Sequence, residues 1–436
     1  MADTDVREGS ARLGTIRKIA VASTIGNGLE YYDFFLYGTA AALVFGNVFF
    51  SAVSPLVGTL ASFATFAVGF GARPLGAIVF SHFGDRVGRK PVLVVTLTIM
   101  GVSTFLIGLL PSYDSIGIWA PVLLVILRLG QGLGLGGEAA GAQLLTLEHA
   151  PPGKRGFYTS WPAMATQIGS LSSTGMILVL NSVLGKEQFL SWGWRLAFLL
   201  SIVVVAIGVF IRSRVSESPV MEGGRPGNAQ RPAVPLVELV RTHRRELVLA
   251  SGMWWGASVG YYINNVFSIS YLTTQRHLDQ STMLTILMVT SILSLGIPIA
   301  AGALSDRCGR RPVLLGATFL SLVISIPYFS LLETAPPALI LVLLVLFNAS
   351  LLAIAGIQPS MFGELFGPRV RYSGVSVAFT AGTLVGGAVA PFIATALLSA
   401  TGGATWAVTV YLVVMMMVSA AFACAIRETR NADLVS

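Results

Sequence analysis

Charge is what this sequence has little of. Asp, Glu, Lys and Arg make up 11% of its 436 residues, against roughly 25% in an ordinary soluble protein. The 54% that are apolar exceed what a soluble core of this length could hide, and a bilayer is the solvent that accepts them. Cysteine is scarcer still. Cys308 and Cys424 fall in or beside expected cytoplasmic loops, where thiols stay reduced, so a disulfide framework is excluded. No GxxxxGK[ST] loop is present, which argues against an ATP-driven pump. Neither a nucleophile–base set, a metal-ligand cluster nor an appended soluble domain is evident, so no enzyme and no metal or organic cofactor is expected. The first apolar stretch is too long for a signal-peptide core and lacks a small-residue cleavage site, so it reads as a retained span.

Twelve apolar stretches are present, near 19–46, 56–82, 91–111, 117–145, 157–184, 194–211, 246–273, 282–304, 312–332, 337–361, 372–399 and 404–426. Each comes close to or exceeds the ~20 residues a helix needs to cross ~30 Å of hydrocarbon. The fold expected is an all-α membrane protein with twelve transmembrane helices in two six-helix bundles. The net charge of +8 follows the loops. Twenty-three of the 28 Lys and Arg fall on one side of the expected membrane, Lys186, Arg195 and Arg276 on the other, and Arg73 and Arg128 inside spans. This bias places both termini in the cytoplasm of a cell membrane. It is a topological signal, and no nucleic-acid partner is implied.

The segment from Arg212 to Arg245 turns polar and rich in Pro and Gly. It divides the spans six and six, with a short amphipathic stretch expected near Val234 to Val240 on the membrane surface. The expected organisation is a tail over 1–18, a bundle over 19–212, a linker over 213–244, a second bundle over 245–427 and a tail over 428–436. A duplicated motif supports two related halves. Gly84-Asp85-Arg86-Val87-Gly88-Arg89-Lys90-Pro91 is echoed 221 residues later by Ser305-Asp306-Arg307-Cys308-Gly309-Arg310-Arg311-Pro312. A second echo, Glu148 to Arg155 and Glu364 to Arg371, repeats at an offset of 216. Such internal symmetry is the mark of secondary transporters.

Charges within hydrocarbon cost at least ~2.5–3.5 kcal/mol each, so every one asks for a reason. In span 1, Asn27, Glu30, Asp33 and Tyr37 fall within an arc of about 120°. In span 4, Arg128, Gln131 and Glu138 fall within about 80°, beside a face of small residues (Gly130, Gly134, Gly137, Gly141) suited to close packing. Asp33 and Arg128 come to comparable depths, about 20 Å and 14 Å from opposite ends of their spans. Geometry allows a direct pair between them, either exchanging a proton or permanently fixing the packing, with Arg128 alternatively binding a substrate carboxylate. Glu30 and Glu138 are further proton-coupling candidates. Span 7 carries Trp254, Ser258, Tyr261, Asn265 and Ser268 in one stripe, fit for a polar organic ligand or for interhelical hydrogen bonds. Gln167 and Gln358 are isolated candidates, and Arg73, just before Pro74, either snorkels or pairs with an acid. The expected ligand set is therefore Asn27, Tyr37, Arg128, Gln131, Gln167, Tyr261, Asn265 and Gln358.

Asp85 and Asp306 close spans 2 and 8, where a carboxylate can cap the N-terminus of a helix from the other half; spans 11 and 5 begin on the same side. Arg86, Arg89, Arg307 and Arg310 can then bind neighbouring helix ends and the acids Glu148 and Glu364. Simple positive-inside anchoring would explain the cations but not two Asp residues at matched positions. These residues form the expected gate.

The second copy matches the G-x-x-x-D-[RK]-x-G-[RK]-[RK] signature of the major facilitator superfamily from Gly302 to Arg311, and the first departs only at Ser81. Arg128-Leu129-Gly130-Gln131-Gly132 resembles the span 4 signature R-x-x-Q-G. Glu30-Tyr31-Tyr32-Asp33-Phe34-Phe35-Leu36-Tyr37-Gly38 is similar to the span 1 hallmark of the metabolite:proton symporters within it. Arg73-Pro74-Leu75-Gly76, Gly136-Gly137-Glu138 and Ser191-Trp192-Gly193-Trp194-Arg195 add to the likeness. A departure is Ala139-Ala140, where that family usually shows Trp-Gly. The resemblance implies proton-coupled import of a small metabolite by alternating access, most often an organic acid such as shikimate, a dicarboxylate or an aromatic acid. The partners implied are that substrate and the bilayer, with a monomer as the working unit and the proton as coupling ion. A proline- or betaine-type osmolyte importer and a proton-driven exporter stand as alternatives. The exporter is disfavoured because Gly156 to Gly175 lacks an antiporter motif.

Overall fold

The computed structural model describes residues 2–87, 89–136, 139–214, 235–368 and 370–434. Twelve helical passages follow one another: α1 (Ala2–Leu43), α2 (Pro55–Val87), α3 (Arg89–Leu109), α4 (Trp119–Leu135 and Ala139–His149), α5 (Arg155–Gln188) and α6 (Trp194–Leu199 and Ser201–Arg214). The second half repeats them as α7 (Arg244–Tyr262, a π turn at Ile263–Phe267, then Ser268–Thr274), α8 (Gln280–Ser294 and Ile297–Cys308), α9 (Arg310–Thr334), α10 (Pro337–Leu365), α11 (Arg371–Thr383, a π turn at Leu384–Ala388, then Ala390–Ala400) and α12 (Trp406–Ala425). No strand occurs among the described residues. The helix α1 begins at Ala2, so the basic residues of the expected tail, Arg7 to Lys18, lie on helical backbone. A short helix, Pro235–Thr242, precedes α7 and buries Leu239 while exposing Val240.

Length and hydropathy alone mark α2, α5 with α6, and α8 to α12 as membrane-crossing, and α3 and the first piece of α4 as shorter apolar helices. Those omitted, α1 and α7, are the first helices of their halves and carry the polar stripes. Their polarity is tolerable because it faces protein: Asn27, Glu30, Asp33, Ser258 and Asn265 are all under a tenth exposed.

Within the first half α1 packs on α5, and α4 fits between α2 and α3. Glycine makes the second contact close: a methyl on Gly132 or Gly136 would run into the carbonyl oxygens of Gly69 and Arg73 on α2. Gly130 and Gly134 instead face Ser103 and Thr96 of α3. Between halves, α5 meets α8 and α10, and α2 meets α11. The end of the bundle that carries the duplicated charged loops is called the basic end below. There, Gly309 adopts φ +100°, a conformation glycine accepts readily, and reverses the chain from α8 into α9.

Candidate functional site

A chamber of about 80 Å³ lies between the halves. The first half contributes Asn27, Glu30, Tyr31, Arg73, Gln143 and Thr166 to its wall, and the second Trp254, Ser258, Tyr261, Tyr262, Gln358 and Thr383. Among the described residues its charged wall residues are Glu30 and Arg73, both from the first half. Arg73 is held by two rings, its guanidinium carbon 4.9 Å from the Phe34 centroid and 4.2 Å from that of Phe70. Glu30 is among the charges acting on it. Phe34, Phe66 and Phe70 in turn pack against Tyr262, and Phe35 against Tyr261, so aromatic rings of the two halves meet behind these two wall tyrosines.

The structure corrects the direct Asp33–Arg128 pair. Arg128 donates to Gln131 Oε1 (2.8 Å) and to the Phe66 carbonyl (3.2 Å), with its guanidinium 3.7 Å from the Tyr37 ring centroid. Gln131 donates to Thr104 Oγ1 (2.6 Å), and Thr104 donates to Asp33 Oδ2 (2.9 Å). Two side chains therefore stand between acid and cation. Thr104 belongs to α3, and helical spacing within α1 and α4 carries no sign of it. Asp33 is 2% exposed and absent from the chamber wall; Glu30, one turn earlier on α1, takes that place.

Of the expected ligand residues, Asn27, Tyr261 and Gln358 line the chamber. Tyr37, Arg128, Gln131, Gln167 and Asn265 do not, because each is used in packing. Tyr37 shares a 2.5 Å hydrogen bond with Thr65. Gln167 donates to the Tyr261 hydroxyl across the halves (2.9 Å), and Asn265 donates to Asn348 (3.1 Å). Arg73 takes the cationic place on the wall. Its sequence signal, a lone Arg before Pro in an apolar span, was visible but did not distinguish wall from lipid. Tyr31 sits inside the span 1 motif without having been singled out, and Tyr262, Gln143 and Thr166 carried no signal beyond their span.

At the basic end Asp306 accepts from the backbone N–H groups of Gly156 (2.9 Å) and Phe157 (2.8 Å), capping α5 of the opposite half. Arg310, 1% exposed, bridges Asp306 (2.7 Å) and Glu364 (3.1 Å). Gly302 and Gly156 meet backbone to backbone, and a methyl on either would strike the other's carbonyl oxygen. The residues after α12 fold over this cluster. Glu428 accepts from the backbone N–H groups of Arg310 and Arg311, each at 2.9 Å. Thr429 donates to Glu364 (2.9 Å), and Arg155 of α5 donates to the Ala432 carbonyl (2.8 Å). Arg307 is exposed and accepts at its carbonyl from Arg430 (2.7 Å). Glu148 is exposed within electrostatic reach of Arg371. Glu138 and the side chains of Asp85, Arg86 and Arg89 lie outside the described residues.

Comparison with known proteins gives this geometry its context. The family model described as Major Facilitator Superfamily matches residues 23–391. The chain is 40% identical over 432 residues to the shikimate transporter of Escherichia coli strain K12, covering 98% of each chain. It is 41% identical over 424 residues to the inner membrane metabolite transport protein YhjE of the same strain, covering 96% of this chain and 95% of the other. To that strain's proline/betaine transporter it is 35% identical over 430 residues, covering 97% and 85%. Among solved structures, the proton:xylose symporter XylE bound to 6-bromo-6-deoxy-D-glucose superposes with a TM-score of 0.72 at 19% identity, covering 96% and 97%.

Proposed function

We propose that this chain, which belongs to the major facilitator superfamily, is a proton-coupled symporter that imports a small organic acid by alternating access. Membership makes it a multi-pass membrane transporter of small molecules and not an enzyme. The observation that carries the finer reading is the placing of Glu30 and Arg73 on the wall of a chamber shared by both halves. Arg73, stacked on two rings, is a preorganised fork for a substrate carboxylate. Ionised Glu30 competes with that carboxylate for Arg73. A proton on Glu30 removes the competition, so proton and anion bind together. Asp33 is the second proton site. Its Oδ1 has no hydrogen-bond partner and can take a proton, while Thr104 has the Met100 carbonyl, 3.0 Å away, as another acceptor. The chain of bonds to Arg128 then loses only its last link.

Positive-inside bias supports a basic end facing the cytoplasm of a cell membrane, with both termini there. Asp306 on α5 and Arg310 between Asp306 and Glu364 then form the cytoplasmic latch, with Arg307, Glu148, Asp85, Arg86 and Arg89 as its expected remainder. The bundle boundaries at 212 and 245 and a monomeric working unit belong to the same reading.

The test is uptake of radiolabelled acids into proteoliposomes under an imposed pH gradient. Asp33→Asn and Glu30→Gln should each abolish uphill uptake, with exchange of internal for external substrate surviving in Asp33→Asn. Uphill, pH-driven uptake persisting in both variants rejects the assignment. A second reading, osmolyte import, is favoured by the five rings Tyr31, Trp254, Tyr261, Tyr262 and Phe379 on the wall, which suit a quaternary ammonium. It requires glycine betaine uptake that rises with external osmotic strength.

A further inference from the structure

We infer that the second half recognises a hydroxyl group of the substrate through Gln358 and the adjacent turn of α10, so that the cargo is a hydroxylated carboxylic acid. This rests on the organic-acid reading above, in which Arg73 holds the carboxylate.

Gln358 is 2% exposed and forms part of the chamber wall, yet its amide nitrogen has no hydrogen-bond partner in the protein. Buried polar groups are normally paired, so an orphan donor on the wall of a binding chamber points to a partner arriving with the ligand. Two other polar wall residues of this half are occupied, since Trp254 donates to Thr383 (2.9 Å) and the Tyr261 hydroxyl accepts from Gln167; the Ser258 hydroxyl on α7 is unpartnered like the Gln358 amide and offers the ligand a second polar contact. The residue after Gln358 is Pro359, inside the helix. Proline has no N–H, so the carbonyl four residues earlier, that of Ala355, lacks its helical donor. Ala355 also lines the chamber.

One turn of α10 thus carries an unpartnered side-chain donor and a carbonyl without its helical i+4 donor. A hydroxyl satisfies both, since it donates and accepts. A second carboxylate would satisfy only the donor, and a quaternary ammonium neither. The chamber then has two poles, a cationic one from α2 and a neutral donor–acceptor one from α10. A substrate that needs both must bridge the halves, which ties its binding to their closure. Discrimination should be steep, because a site built to hydrogen-bond a hydroxyl leaves its own groups unpaired with an analogue that lacks it.

Equilibrium binding to the purified full-length protein decides the matter, using shikimate, quinate, cyclohex-1-ene-1-carboxylate (the shikimate ring and carboxylate without hydroxyls) and glycine betaine. The wild type should bind a hydroxylated acid at least about 100-fold more tightly than the plain ring acid. Gln358→Met, close in volume, should weaken the hydroxylated acid alone and cut the preference below about tenfold, whereas Arg73→Met should weaken both acids. Unchanged affinity for the plain acid certifies that Gln358→Met is folded; were it unfolded, the wild-type preference decides alone. Equal binding of plain and hydroxylated acids by the wild type, or equal loss of both in Gln358→Met, overturns the hydroxyl pole and leaves organic-acid transport standing. Binding of glycine betaine with neither class of acid removes both readings.

Discussion

Asp33 and Arg128 are joined without touching. The donors all point one way, from Arg128 through Gln131 and Thr104 to the carboxylate, so the hydrogen-bonded link between Asp33 and Arg128 lasts only while Thr104 holds its orientation. Thr104→Val removes that link at nearly constant volume. A hydrogen bond to a charged group contributes about 1.5–3 kcal/mol, so pH-driven uptake should fall about tenfold to a hundredfold, with Thr104→Ser near the wild type. Unaltered uptake in the Val variant would show that the relay carries no coupling.

Arg73 should be sensitive to shape as well as charge. Arg73→Lys keeps the cation but loses the planar fork and its stacking on Phe34 and Phe70. Substrate affinity should drop about 10- to 100-fold, equivalent to 1.4–2.8 kcal/mol. Titration of binding at fixed pH checks this, and wild-type affinity in the Lys variant would remove Arg73 from the site. Gly136→Ala, pressing on the Arg73 carbonyl, should produce a related loss with every charge retained.

The latch should be breakable from either side. Asp306→Asn keeps the shape and loses the charge that binds Gly156, Phe157 and Arg310. Gly302→Ala keeps the charge and blocks the approach of α8 to α5. Both should shift the population toward a conformation open at the basic end. Cysteines placed on α5 and α8 at that end and probed with a membrane-impermeant reagent would report higher reactivity in both variants. Reactivity equal to the parent's would disprove the latch.

Glu428 makes the tail's attachment dependent on pH. Burial by itself would raise its carboxyl, but the backbone N–H groups of Arg310, Arg430, Arg311 and Thr429 outweigh it and hold the group below the ordinary glutamate value. A group whose folded value is depressed stabilises the docked form above its free value and loses that contribution as pH falls through the docked one. The protection factors of the Arg310 and Arg311 amides, with the intrinsic exchange rate at each pH divided out, should therefore be high at neutral pH and fall on acidification below the usual glutamate range. Glu428→Gln should exchange quickly throughout. Protection that ignores pH in the parent would contradict this.

How far the site could be read in advance differed from residue to residue. The arcs on α1 and α4 told which side of each helix is polar, because that depends only on 3.6-residue spacing. They could not tell that Thr104 of a third helix comes between Asp33 and Arg128. The geometry at Asp306 lies close to its sequence motif, since a carboxylate at a helix end and an open helix N-terminus attract each other wherever loops bring them near. Arg73 was ambiguous because an arginine beside a proline looks the same whether it reaches lipid headgroups or a chamber.

Hydropathy and internal repetition were enough to read an all-helical membrane fold of twelve spans, since that follows from transfer of side chains between water and hydrocarbon one segment at a time. Only the packed structure decided which polar groups satisfy one another, as Tyr37 with Thr65, Gln167 with Tyr261 and Asn265 with Asn348 do. It also decided which remain on the chamber wall, as Glu30, Arg73 and Gln358 do. In a medium without water each buried polar group takes whichever partner a neighbouring helix offers, and that neighbour is named by three-dimensional packing rather than by position along the chain.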